Sequence, residues 1–166
     1  MEIRTIRPFL EYYEGIRART RRVIDCTPPE RLEWTHAPGR FTFGDLIRHL
    51  AAIERFMFAE NVRGLPSRYP GHGQELAKGW DDVIVYFEER HREAMELFAT
   101  LTDEDLTRKC TTPGGGAISV WKWLRAMVEH EVHHRGQIYL MLGMIGVPTP
   151  PLYGLTEEQV KARSIP

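Results

Sequence analysis

The sequence has almost no cysteine. Cys26 and Cys110 are the only two; they fit neither a disulfide framework nor a zinc-ribbon spacing, and a reducing compartment is the simplest setting for them. There is no excess of either charge: 22 Lys and Arg stand against 23 Asp and Glu, a net charge of −1. No basic tract stands out, so nucleic acid is not an expected partner. No apolar run reaches the length of a membrane span; the longest, residues 138–147, is too short and contains Gly143 and Gly146. The N-terminal MEIRTIRPFL lacks the apolar core of a secretion signal. Internal repeats and domain linkers are missing as well. These absences predict a soluble cytoplasmic protein, and 166 residues predict one domain, residues 1–166, able to bury a sizeable core.

What the chain does have is helical periodicity. Phe9, Tyr12, Tyr13, Ile16 and Ile24 predict a helix over residues 7–26, closed by Cys26-Thr27-Pro28-Pro29. Thr42-Phe43-Gly44-Asp45 has the shape of a capping box and opens a helix to about Asn61, with Leu46, Leu50, Ile53 and Met57 on its apolar face. Ile84, Phe87, Ala94, Met95 and Phe98 predict a third helix from about Trp80 to Leu101. The fourth runs from Ser119, a candidate N-cap, to the stop signal Gly146-Val147-Pro148, roughly 40 Å of helix. Thr156 could cap a last short helix over residues 157–161. Two connections stand out. Residues 63–79 hold Gly64, Pro66, Pro70, Gly71, Gly73 and Gly79, a long crossover without periodic pattern. Lys109 to Ala117, with three consecutive glycines, reads as a flexible loop or tight hairpin and lacks the lysine and strand of a phosphate loop. Four amphipathic helices and no convincing strand make the fold class all-α, a four-helix bundle. Short first and third connections predict antiparallel neighbours within each sequence-adjacent pair.

Histidine is the unusual residue on the apolar faces. His130 and His134 lie four apart where the stripe passes from Met127 to Ile138, so both imidazoles leave the helix on nearly one side. His49 lies on the apolar face of the second helix and His91 on that of the third. Three readings follow. The histidines could be neutral core residues, each hydrogen-bonded to a neighbour. His49, His130 and His134 could hold one divalent ion, leaving a coordination position open. Or Glu88-x-x-His91 and Glu131-x-x-His134, with Glu54 or Glu60 and Glu11 or Glu14, could form a carboxylate-bridged di-metal site. His133 falls off the shared stripe and reads as exposed or supporting. Gln137 and Glu131 are candidates to hold the free imidazole nitrogens. Arg135 is expected to point away and pair with an acid. Trp121, Trp123, Tyr139 and the methionines Met127, Met141 and Met144 read as packing, some lining a pocket.

His130-Glu131-Val132-His133-His134-Arg135-Gly136-Gln137, followed by Gly146-Val147-Pro148, resembles the last core helix of the DinB family. The earlier family histidine matches His49 within Phe43-Gly44-Asp45-Leu46-Ile47-Arg48-His49-Leu50. The resemblance spans nearly the whole chain. It implies an up-down-down-up bundle with His49, His130 and His134 as ligands of a divalent metal, often zinc or nickel, and frequently a homodimer. It also implies a metal-dependent transferase or hydrolase acting on a small-molecule substrate, since relatives use a low-molecular-weight thiol such as bacillithiol, mycothiol or glutathione. The nucleophile would be such a thiol or an activated water. The family motif does not require His91, which reads as a core histidine, a fourth ligand or the one candidate proton shuttle, a catalytic role. A bundle in which the ion only ties helices together is the non-enzymatic alternative.

Overall fold

The structure, a computed structural model, describes residues 2–165. The first helix, α1, spans Ile6–Ile24. It stops slightly before the expected end because the Cys26 and Thr27 amides turn back to the carbonyls of Val23 and Ile24, and Pro28-Pro29 supplies no amide hydrogens to continue it. The second rod, α2, occupies residues 43–62. It opens on the expected capping box: the Asp45 amide donates to Thr42 Oγ1 at 2.9 Å, and the Thr42 amide to Asp45 Oδ2 at 3.0 Å. It is not uniform. Phe43–Ile53 is α-helical, Glu54–Phe58 forms a π turn, and Ala59–Val62 returns to α-helix.

Helix α3 spans Trp80–Phe98. It ends before Leu101 because Thr102 and Asp105 exchange hydrogen bonds that start a short 3-10 turn, Glu104–Thr107. The glycine-rich segment forms a hairpin of two short strands, β1 (Lys109–Thr111) and β2 (Ala117–Ser119). They pair antiparallel, Cys110 opposite Ile118, with Gly115 at φ 82° in the turn, a conformation only glycine adopts freely. Helix α4 spans Val120–Met144. Ser119 takes the N-cap position without capping; its hydroxyl accepts from Lys109 Nζ at 3.3 Å. Gly146, at φ 75°, closes the far end. The expected last helix, α5, is Glu157–Arg163, capped reciprocally by Thr156 and Gln159.

Two apolar clusters fix the directions of the four long helices. Val23 and Ile24 at the end of α1 meet Phe43 and Leu46 at the start of α2, Val83 and Phe87 at the start of α3, and Ile138 and Leu142 near the end of α4. The other cluster joins Phe9 and Tyr13 of α1, Phe58 and Val62 of α2, Ala94 and Phe98 of α3, and Val120 and Leu124 of α4. So α1 and α4 run one way, α2 and α3 the other. The backbone contacts between helices are most extensive for α2 with α3 and α1 with α4. Sequence-adjacent helices within each pair are antiparallel, as expected, and the parallel partners share the most extensive contact.

Between the two clusters each helix contributes polar groups: Arg17 and Thr20, Glu54, His91, and His130 with Glu131, His134 and Arg135. The bundle is therefore two hydrocarbon ends separated by a polar layer, and the candidate site is built in and beside that layer.

Candidate metal centre

The histidines of α2 and α4 converge. His49 Nε2 lies 3.0 Å from His130 Nε2, and His134 Nε2 lies 3.1 Å from the same atom. The His49 and His134 rings stand 4.6 Å apart, nearly perpendicular. The i, i+4 spacing on α4 sets the second contact. The first requires α2 to bring His49 to the same level, which the shared cluster of Leu46, Leu50, Ile138 and Leu142 does.

The opposite nitrogens are held. Gln137 Oε1 accepts from His134 Nδ1 at 2.7 Å, and the Gln137 amide nitrogen lies 3.2 Å from His133 Nε2. The amide thus spans two histidines, and His134 carries its proton on Nδ1. His49 Nδ1 meets the Tyr69 hydroxyl at 2.7 Å, and that hydroxyl lies 3.3 Å from His72 Nδ1. Phe41 lies over the group, its ring 5.7 Å from His49, 4.5 Å from His72 and 6.3 Å from His134. Phe58 covers the His130 side at 5.9 Å.

Tyr69 and His72 come from the long crossover, where no periodicity pointed to them. The crossover is pinned at several places. Arg48, fully buried, donates to the carbonyls of His72 at 2.9 Å and Ala77 at 3.2 Å, and its guanidinium meets Glu33 and Asp45. Arg68 sends its amide to the Phe56 carbonyl in the π turn at 2.7 Å and its guanidinium to Glu60 at 2.6 Å. A signal was available in Arg48: a cation one residue from His49 on an otherwise apolar stretch must find buried partners.

Burial, then the neighbouring imidazoles, push the His49 pKa down to about 4 and that of His130 to about 3. Burial also lowers His134. At neutral pH all three are uncharged, the form that ligates metals. With the His134 proton on Nδ1, three converging Nε2 atoms cannot satisfy one another: at most one hydrogen bond relieves two close contacts, and the remainder set lone pair against lone pair. A cation resolves this. Two nitrogens about 2.1 Å from a common ion and subtending about 95° lie about 3.1 Å apart, the separation found. The residues therefore fit a divalent ion. Among the described residues, His49, His130 and His134 form the one group of histidine, cysteine or carboxylate atoms close enough to share an ion, with no fourth member.

The other expected participants lie elsewhere. His91 is no neighbour of the ion position: its Nδ1 lies 2.8 Å from Glu54 Oε1 and its Nε2 3.2 Å from Glu14 Oε2. Both nitrogens are engaged by carboxylates and His91 is not among the converging side chains, so it is no fourth ligand. The di-metal arrangement is overturned by a cation already in its place. Arg17 Nη1 lies 2.9 Å from Glu131 Oε2 and Nη2 3.4 Å from Glu54 Oε2. Glu88 is on the surface with Arg21, and Glu11 faces Arg7 there. Glu131, a candidate holder of an imidazole, is thereby committed to Arg17. Arg135 is buried and donates to the Ile16 carbonyl at 3.3 Å, where an acid was expected.

Comparison with known proteins adds the following. The family model of the DinB superfamily matches residues 12–138. A DinB-like protein from Bacillus cereus ATCC 10987 superposes with a TM-score of 0.71 at 21% identity, over 89% of this chain and 97% of its own. The DinB-like protein YjoA from Bacillus subtilis gives 0.70 at 17% identity, over 87% and 96%. YfiT from Bacillus subtilis gives 0.64 at 18% identity, over 86% and 89%; it is described as a probable metal-dependent hydrolase with an unusual four-helix bundle topology. At these identities the likeness shows the fold alone. Comparison with curated proteins gives no match.

Proposed function

The chain belongs to the DinB superfamily, and from that premise we propose that it is a metal-dependent enzyme holding one divalent ion, zinc or nickel, on His49, His130 and His134. The observation that carries the reading is the convergence of three Nε2 atoms, two of them at 3.0 and 3.1 Å from the third. The missing fourth protein ligand favours catalysis over a purely structural ion, because structural sites are closed by four protein ligands. When bound, the ion supplies Lewis acidity and makes an ionised water or thiol available near neutral pH.

The chain's own residues supply the rest. Gln137 and Tyr69 fix the ring orientations of His134 and His49, which keeps the open position aimed in one direction. Phe41 and the crossover around Tyr69 and His72 limit access of bulk water to the histidines. Water as the nucleophile is supported by the hydrolase description of YfiT; a small cellular thiol is the second candidate, supported by the family resemblance of the His-Arg-Gly-Gln run. A cytoplasmic location belongs to the same proposal and is supported by the free thiols of Cys26 and Cys110; no helix among the described residues is long and apolar enough to cross a membrane.

Elemental analysis of protein purified without an affinity-metal step tests the reading. About one divalent ion per chain is expected, lost in His49→Ala and in His134→Ala. Two ions per chain, or one that survives both substitutions, overturns it.

A further inference from the structure

Beside the histidines lies a cavity of ≈ 520 Å³. It opens between the last turns of α4 and the segment before α2, and its size falls in the range of about 300–1,000 Å³ typical of small-molecule sites. Phe41, Leu46, Leu140, Met141 and Met144 make its walls. Leu140 and Met144 are 66% and 56% exposed although apolar, so the rim presents hydrocarbon to solvent where a ligand would cover it. The methionines are unbranched and polarisable and adapt to varied apolar shapes.

Two features give the cavity a direction. Phe41 and Gln137 line it and also touch the centre: Phe41 lies against His49 and His134, and Gln137 holds His134 Nδ1. The inner wall is therefore shared with the ligands of the ion. At the rim stand Arg40 and His36, both exposed. No Asp or Glu lines the cavity, so its only full charge is the Arg40 guanidinium, which favours an anion.

We infer that the cavity binds an amphipathic small molecule: an alkyl or aryl body against Leu140, Met141 and Met144, and an anionic group at Arg40. The part of the molecule beside Phe41 and Gln137 faces the histidines. As a statement about the substrate, this rests on the metal-enzyme reading; as a statement about binding, it stands on the cavity alone.

A matched pair of fluorescent probes tests it on the full chain with its metal content measured. 8-Anilinonaphthalene-1-sulfonate carries an apolar body and an anion; N-phenyl-1-naphthylamine has the same rings without the charge. Both are expected to bind at one per chain. Arg40→Ala should weaken the sulfonate at least tenfold and leave the neutral probe unchanged. Leu140→Asp should weaken both. Sulfonate binding indifferent to both substitutions overturns the inference. So does sedimentation of a dimer that Leu140→Asp turns to monomer and whose wild type binds neither probe, because a second copy then covers the cavity. Protein that lacks metal yet shows the Arg40 and Leu140 effects upholds the cavity and removes the metal-enzyme reading.

Discussion

Replacing Arg17 by methionine should be among the most damaging single changes in this chain. Arg17 is 4% exposed, and Glu54 and Glu131 are each 2% exposed. Arg17 meets Glu131 at 2.9 Å and Glu54 at 3.4 Å, donates to the Phe87 carbonyl at 3.2 Å, and lies 3.5 Å from the centre of the Phe87 ring. Methionine keeps much of the volume but leaves Glu131 without a cation and Glu54 with His91 alone. Stranding a buried charge costs about 3–5 kcal/mol, a large part of the roughly 5–15 kcal/mol that holds a domain together. At about 2–4 °C per kcal/mol for a chain of this size, Tm should fall by about 6–20 °C. Thermal and urea unfolding followed by circular dichroism read this directly. The triple variant Arg17→Met, Glu54→Gln, Glu131→Gln should recover much of the loss, since no net charge then remains stranded. A deficit below about 1 kcal/mol, the worth of a surface pair, would refute the claim that the three groups form a desolvated unit.

Three further outcomes are expected. Tyr69→Phe and Gln137→Leu each remove the partner of one of the converging imidazoles and, on the proposed metal site, should lower metal affinity about 10–100-fold in competition with a chelator; unchanged affinity in both would show that the rings need no holding. Burial opposes a charge on His91, but the attraction and hydrogen bond of Glu54, aided by Glu14, raise its pKa above 6.5. Its contribution to stability is then complete below pH 6.5 and lost as pH rises through the folded value, so His91→Gln should flatten the fall of Tm above pH 6.5, and an unaltered profile would contradict this. A Cβ on Gly44 would lie 2.8 Å from both Arg48 Nη2 and Glu33 Oε1; Gly44→Ala should loosen the Arg48 anchor and speed proteolysis within residues 63–79, with an unchanged cleavage rate as the contrary result.

The pattern of apolar residues located the four helices well because each buries one face, and the capping box at Thr42 and the candidate cap Thr156 announced α2 and α5. The three converging histidines were legible for the same reason: imidazoles on a face otherwise Leu, Ile and Met stand out. What was hidden is long-range. Arg17 sits among four other arginines of α1, and only the arrival of Glu54 and Glu131 from two other helices distinguishes it from its solvated neighbours. Tyr69 and His72 lie in a stretch without period, so nothing local says that they fold back onto His49. The hairpin strands are three residues each, too short for alternation to show. The π turn has no compositional mark, since its residues suit an ordinary helix equally well.

That turn marks the place along α2 where the gene for this chain can lose a codon at least cost to the phase of the helix. A π turn holds about one residue more than an α turn, and one residue is worth about 100° of azimuth. Deleting a single codon within 54–58 would leave a regular helix and keep His49 where it is. Because the extra residue is held within that one turn, everything downstream, including Glu60 on which Arg68 docks, would keep nearly its present azimuth. What the deletion would remove is the widened turn whose Phe56 carbonyl accepts from the Arg68 amide, a tether of the crossover one residue before the hydroxyl that meets His49.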